Sequence, residues 1–306
     1  MRRLLLWMAG NRFLRRRLPR LWFARRAVRR FMPGERMADA LAAAEKFRAA
    51  GTPVIFTHLG ENLTRLADAD ATADHYAALI DEVNARGLDG ELSVKPTHLG
   101  LDVDSAVTLA HVSRLAAAAA PRTLWLDMEG SAYTDPTLTL YEQLKASGHA
   151  NVGLCLQAYL KRTYADIGQL LPLAPRIRLV KGAYAEPPDI SYQHGREVDA
   201  NFLALCVSLL GAKRNGRSLF LGLGTHDVTL IRQLADYAAG NGQGLDAFDG
   251  EMLYGIRTNE QRRLADEGYR VRVLIAYGEA WYPWYMRRLA ERPANVIFAL
   301  RQLLPF

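Results

Sequence analysis

Thr123-Leu-Trp-Leu-Asp127, the segment Thr137 to Lys145, and Val152-Gly-Leu-Cys-Leu156 form the stretch whose reading decides the fold. The outer runs are short, apolar and rich in β-forming residues, and the segment between them carries a helical pattern. Strand, helix and strand in that order make a unit that joins parallel strands by a right-handed crossover. The same unit recurs on both sides. Upstream lie the strand-like runs Val54 to His58 and Leu92 to Lys95; downstream lie Ile177 to Lys181, Leu219 to Thr225, Ala247 to Leu253 and Val271 to Tyr277. Helical patterns separate them, among them Arg36 to Ala49, Ala73 to Ala85, Asp104 to Ala119, Val198 to Leu210 and Val228 to Ala239. Eight strands alternating with helices predict an α/β fold of the closed (βα)8, TIM-type barrel class, whose typical length is about 250 residues. An open doubly wound sheet would carry an early glycine fingerprint, and no G-x-G-x-x-G follows the first run.

Composition agrees with a globular enzyme-sized core. Of 306 residues half are apolar and 23% are charged, which excludes a disordered or fibrous chain. Two cysteines, Cys155 and Cys206, exclude a disulfide framework and a Cys-based zinc site and point to a reducing compartment, the cytoplasm. The formal charge is +7, yet residues 1–30 hold eleven Arg and no acid, so the rest of the chain sums to −4. Residues 1–33 therefore read as a basic helical arm and 34–306 as the barrel domain. The apolar stretch Leu4 to Gly10 is too short to span a bilayer. Arg interleaved with Trp7, Phe13, Leu14, Trp22 and Phe23 suits peripheral contact with an anionic membrane surface or a nucleic acid; the alternative is an amphipathic helix packed on the barrel.

Barrels of this class place their chemistry at the carboxyl ends of the strands. Those ends bring His58, Glu61, Lys95, His98, Asp127, Glu129, Gln157, Arg178, Lys181, Thr225, His226, Glu251, Tyr254 and Tyr277 toward one mouth, and Arg287 and Arg288 join them if the last helix, Trp281 to Arg292, returns across it. Three chemistries compete. His58, His98, His226 and Asp127 suit zinc hydrolysis, although no H-x-H or H-E-x-x-H pair occurs. Lys95 or Lys181, if desolvated, suits a Schiff base. Arg178, Lys181, Gly182 and Ala183, with Thr225 and His226 ahead of a helix start, suit a flat or phosphorylated ligand such as a flavin dinucleotide. Arg287 and Arg288 would then clamp a carboxylate.

Several ordered motifs carry a resemblance. Leu124-Trp-Leu-Asp127-Met128-Glu129, Leu156-Gln157-Ala-Tyr159, Arg178-Leu-Val-Lys181-Gly182-Ala183-Tyr184, Gly224-Thr225-His226-Asp227, Met252-Leu-Tyr254-Gly255 and Tyr285-Met-Arg287-Arg288 together resemble the flavin-dependent proline dehydrogenase family, of the short monofunctional bacterial type. The resemblance implies a distorted (βα)8 barrel that binds FAD non-covalently, oxidises L-proline to 1-pyrroline-5-carboxylate and passes electrons to a membrane quinone. It implies that Arg178 sits at the reactive edge of the flavin with Gln157 and Met128 beside it, and that Lys181, Gly182, Ala183, Thr225 and His226 hold the rest of FAD. Lys95, Arg287 and Arg288 would bind the substrate carboxylate, Asp127 would orient these cations, and Tyr285 and Leu274 would neighbour the substrate. Metal and nucleic acid have no part in that function. Three positions depart from the family pattern: Leu274 replaces a Tyr that packs on the substrate ring, Glu251 stands where Gln is common, and Gly130 where a carboxylate often follows Asp-Met-Glu. Leu274 leaves room for another cyclic amino acid, such as hydroxyproline.

Overall fold

The computed structural model describes residues 2–18 and 21–291. Strands β1 (Val54–His58), β2 (Gly90–Val94), β3 (Leu124–Leu126), β4 (Val152–Gln157), β5 (Arg176–Val180), β6 (Phe220–Gly224), β7 (Asp249–Leu253) and β8 (Val271–Tyr277) pair in sequence order, and β8 closes in parallel on β1. All eight expected strands are present, with bounds that move by two residues at most. The seventh begins at Asp249 because Leu245–Ala247 forms a single 3-10 turn.

Helices α1 (Arg2–Gly10), α2 (Arg12–Arg17) and α3 (Trp22–Val28) precede the barrel, and α4 (Met37–Ala49) packs against β8 and β1. Crossovers are made by α5 (Leu66–Ala85), α6 (Ser105–Ala119), α7 (Thr134–Ala146), α8 (Thr163–Leu170), α9 (Gly195–Arg214), α10 (Val228–Gly240) and α11 (Thr258–Asp266). Local chemistry sets their starts: the Asp104 carboxylate accepts hydrogen bonds from the backbone N–H of Ala106 and Val107 at the head of α6. α12 (Trp281–Glu291) follows β8 and passes over the carboxyl ends of the strands, because α4 already covers the outside of β8 and β1. That displacement is the distortion of the barrel. Arg292, where the sequence pattern ends this helix, lies outside the described residues.

The strands have two unlike buried faces. Leu92, Val94, Leu124, Leu126, Ile177, Leu179, Leu221, Leu223, Val273 and Ile275 belong to the main apolar core beneath the helices. Facing inward are Glu91, Ser93, Trp125, Arg178, Asp249, Glu251 and Arg272, which bond to one another across the barrel, and Arg176, which lies over the Phe220 ring at 4.5 Å. Buried charge is costly unless paired. Glu91 accepts from Trp125 Nε1 at 2.7 Å and from Thr123 Oγ1 at 2.9 Å, and Arg272 Nε donates to Asp249 Oδ2 at 2.9 Å.

A second apolar cluster joins the amino-terminal helices to α12: Leu5, Ala9, Val28, Phe31 and Met32 pack with Trp281, Tyr282, Tyr285, Met286 and Leu289. Away from this contact Leu4, Trp7, Phe13 and Trp22 are exposed. Among the described residues no helix is long and apolar enough to cross a membrane.

Candidate active site

A cavity of about 570 Å³ opens at the carboxyl ends of the strands beneath α12. Lys95, Asp127, Met128, Gln157, Arg178, Lys181, Gly182, Ala183, Thr225, His226, Leu274, Arg287 and Arg288 all line it. Its centre is a network from three strand ends. Lys95 Nζ lies 3.1 Å from Asp127 Oδ2, Ser93 Oγ donates to Asp127 Oδ1 at 2.7 Å, and Arg178 Nη1 donates to Ser93 Oγ at 2.9 Å and reaches Asp127 Oδ1 at 3.3 Å. On its other side Arg178 Nε donates to Glu251 Oε2. The guanidinium carbon lies 4.5 Å from the centre of the Trp125 ring, a cation–π contact.

Burial opposes ionisation of Asp127, but the Lys95 and Arg178 cations and the Ser93 hydroxyl outweigh it and hold the carboxyl below its ordinary range. Burial likewise opposes the Lys95 ammonium, and Asp127, followed by Tyr184, Glu129 and Glu61, reverses the effect and raises its pKa. Lys95 is therefore protonated and ion-paired, which removes it as a Schiff-base nucleophile. Lys181 is paired as well, to Asp199 and Asp227.

Gln157 donates its amide N–H groups to the carbonyls of Met128 and Glu129, each at 3.2 Å, which turns its own carbonyl oxygen the other way. Gly182 has φ +108, and a Cβ there would collide with the Tyr159 ring, so only glycine lets the chain turn at this point of the wall. Arg287 forms a bidentate pair with Glu61 at 3.0 and 2.9 Å and lies over the Tyr184 ring at 5.2 Å. Arg288 lies over the Trp284 ring at 5.9 Å.

Two expectations are corrected. Tyr285 does not line the cavity: its ring packs 5.6 Å from Phe31 and 6.1 Å from Trp281 in the second apolar cluster. Trp284 lines the cavity instead. The signal was present in the helical period, since Trp284 precedes Arg287 by three residues and Arg288 by four and so neighbours both. The zinc reading fails on placement. His58 stacks 4.2 Å from His75 and 5.4 Å from His98, and none of the three lines the cavity, whereas His226 does and Asp127 is held by Lys95. Among the described residues no three His, Cys, Asp or Glu gather in a group able to hold a metal. Burial, with neighbouring His75 and His98, lowers the His58 pKa to about 3; burial and Lys95 lower that of His98 to about 4. Ser93, which joins Asp127 to Arg178, is not among the strand-end residues, although its parity with Lys95, the residue just after β2, reveals it.

The family model described as "Proline dehydrogenase" matches residues 40–301. Proline dehydrogenase 1 of Bacillus subtilis strain 168 is 32% identical over 307 residues, covering 99% of both chains. Proline dehydrogenase of Deinococcus radiodurans is 35% identical over 281 residues, 90% of this chain and 89% of that one. Among solved structures, proline utilization A from Bdellovibrio bacteriovorus superposes with a TM-score of 0.80 at 22% identity, over 88% of this chain and 33% of that one, which supports the fold. On the family match and on relatives aligned over nearly their whole length, this chain belongs to the proline dehydrogenase family.

Proposed function

We propose that the chain oxidises L-proline to 1-pyrroline-5-carboxylate, a step of proline catabolism, with FAD bound non-covalently in the cavity and a quinone as electron acceptor. One observation carries the reading. Arg178 Nη2 and Gln157 Oε1 are buried in the cavity wall without a hydrogen-bond partner, a donor and an acceptor that suit the polar edge of a flavin ring. When bound, FAD supplies the acceptor of the hydride that leaves the ring carbon next to the substrate nitrogen. Arg178, Gln157 and Met128 would meet its ring, and Lys181, Gly182, Ala183, Thr225 and His226 the remainder.

The other residues position substrate. Lys95, Arg287 and Arg288 are cations that would fix its carboxylate and so the distance and angle of the departing hydride. Asp127 keeps Lys95 charged, does the same for Arg178 together with Glu251, and holds both in place, which makes it a positioning group. Positive surroundings lower the pKa of the substrate amine, so that it loses its proton before oxidation. The purified protein is expected to be yellow and to lose its visible band with L-proline under anaerobic conditions. Arg288→Met should keep its flavin while kcat/KM falls about 10- to 150-fold, the equivalent of about 1.5–3 kcal/mol for a lost charge-assisted contact. A protein that takes up no FAD, or a flavin that proline leaves oxidised, refutes the reading.

In the same reading residues 1–33 form an arm that meets an anionic membrane, where the quinone resides, and residues 34–306 form the catalytic barrel at the cytoplasmic face. Trp7, Phe13 and Trp22 are exposed and the sequence of residues 1–30 carries eleven Arg, and both support it, since aromatic anchors and positive charge together hold a helix in the interface. Trp7→Ser with Trp22→Ser should weaken binding to anionic vesicles and slow quinone reduction while leaving turnover with a soluble dye unchanged. Equal vesicle binding by variant and parent removes the arm from this role.

A further inference from the structure

Two carboxylates meet Arg178, one of which, Asp127, it shares with Lys95, so that two cations face two carboxylates and the cluster is neutral only while Glu251 is ionised. Asp127 answers the guanidinium at Nη1, and Glu251 on β7 grips Nε from the opposite side. Glu251 is buried, and its two oxygens are inequivalent: Oε2 accepts from Arg178, whereas Oε1 has no hydrogen-bond partner. Gly222 on β6 makes room for it, because a Cβ there would collide with Oε1. The charged and titratable groups that face Glu251 are Arg178 and Arg176 from β5, Arg272 from β8, Glu91 from β2 and Cys155 from β4.

We propose that Glu251 is a proton-binding positioning residue: ionised, it balances Arg178 while the cofactor is oxidised, and it takes a proton on Oε1 when two-electron reduction makes the cofactor anionic. This rests on the proposed function, in which Arg178 meets the flavin. Burial pushes the Glu251 carboxyl up to about 7 against the pull of Arg178, so it is already poised to gain a proton near neutrality. A new negative charge beside Arg178 draws on the guanidinium and raises that affinity further.

The step balances. Zwitterionic proline loses its amine proton and then a hydride, two electrons and one proton, and becomes the protonated imine; the flavin is reduced and gains one negative charge. The proton released from the amine is matched by the one bound at Glu251, so oxidation of substrate and reduction of cofactor leave the site with the charge it had before. With glutamine at 251 the same half-reaction would release a proton to solvent.

The test is the midpoint potential of the flavin-loaded full-length protein, titrated against redox dyes from pH 6.5 to 9, for wild type and Glu251→Gln. Above pH 7 the wild-type reduction equilibrium should change about 100-fold per pH unit, two protons with two electrons, and that of Glu251→Gln about tenfold; these are about 59 and about 30 mV per unit for a two-electron couple. Glu251→Asp, which keeps a carboxylate, should restore the steeper dependence. A tenfold dependence in wild type across this range overturns the proposal whether or not Glu251→Gln retains flavin, as does an equal dependence in wild type and Glu251→Gln. If proline bleaches a bound flavin and the slopes are equal, only the role of Glu251 falls; if no flavin binds, the proposed function falls with it.

Discussion

The mouth of this barrel has two sides built from the same kind of residue and used in opposite ways. From β5 to β7, Arg178, Lys181 and Glu251 are ionisable, paired and turned into the cavity. At β1, β2 and β8, half-buried His58 and His75 form a stack of rings with buried His98 and Tyr277, in which His75 Nε2 lies 2.8 Å from the Tyr277 hydroxyl. Both sides end strands with polar side chains. The difference lies in what each side buries: Arg178 is held between carboxylates, whereas in the stacked imidazoles burial, with Lys95 beside His98, outweighs the pull of Glu61 and keeps the rings neutral. A polar strand end thus marks a place at the mouth, and its neighbours decide whether it becomes chemistry or packing.

The two sides should respond to acid with opposite sign. His98 titrates near 6.5 when unfolded and at about 4 in place, so between those values the unfolded chain binds more protons and stability falls as pH falls. The loss amounts to about 3 kcal/mol by the time pH reaches 4. Glu251 works the other way. Its carboxyl is raised to about 7, the folded chain binds more protons below that value, and lowering pH from 7 toward the ordinary Glu range stabilises it. Asp127, held low, stays ionised throughout this window. Denaturant unfolding of His98→Gln at pH 7 and pH 4.5 should therefore show a smaller acid loss than wild type, and Glu251→Gln a larger one. Parallel pH dependence in all three proteins would mean that the two sides do not differ in protonation.

How much of this was legible follows from where regular geometry stops. The eight strands could be read because Leu, Ile and Val recur on the face under the helices, and the charged face could be read by parity, as in Glu91 and Ser93 on β2 and Lys95 just after it. Parity ends with the strand. His98 lies in the 3-10 turn Pro96–Leu99, which carries its ring away from the cavity and against Gly60, and no alternation in the sequence reports such a turn. α12 was legible as a helix, yet its position over the mouth depends on α4 occupying the outside of β8 and β1, a contact between segments more than two hundred residues apart. Tyr285 and Trp284 show the finer limit: adjacent aromatics on a helix point about 100° apart, and the direction of α12 decides which one lines the cavity.

β8 is where the two sides join, and it supplies the smallest expected effect. Tyr277 at its end goes to the ring stack, while Leu274, three residues earlier on the opposite face of the strand, lines the cavity with Leu253 and Trp284. Leu274 offers apolar volume and no hydroxyl, so in the proposed site it would neither reward nor require a polar group on the substrate ring. Leu274→Tyr adds a hydroxyl and fills the space beside that ring, and a changed pocket contact of this kind is worth about 1 kcal/mol, some fivefold in relative kcat/KM. Measured with L-proline and trans-4-hydroxy-L-proline, wild type should discriminate less between the two than Leu274→Tyr does, with the variant favouring L-proline. An unchanged ratio would assign ring selectivity to Trp284 on α12 and leave Leu274 as wall packing.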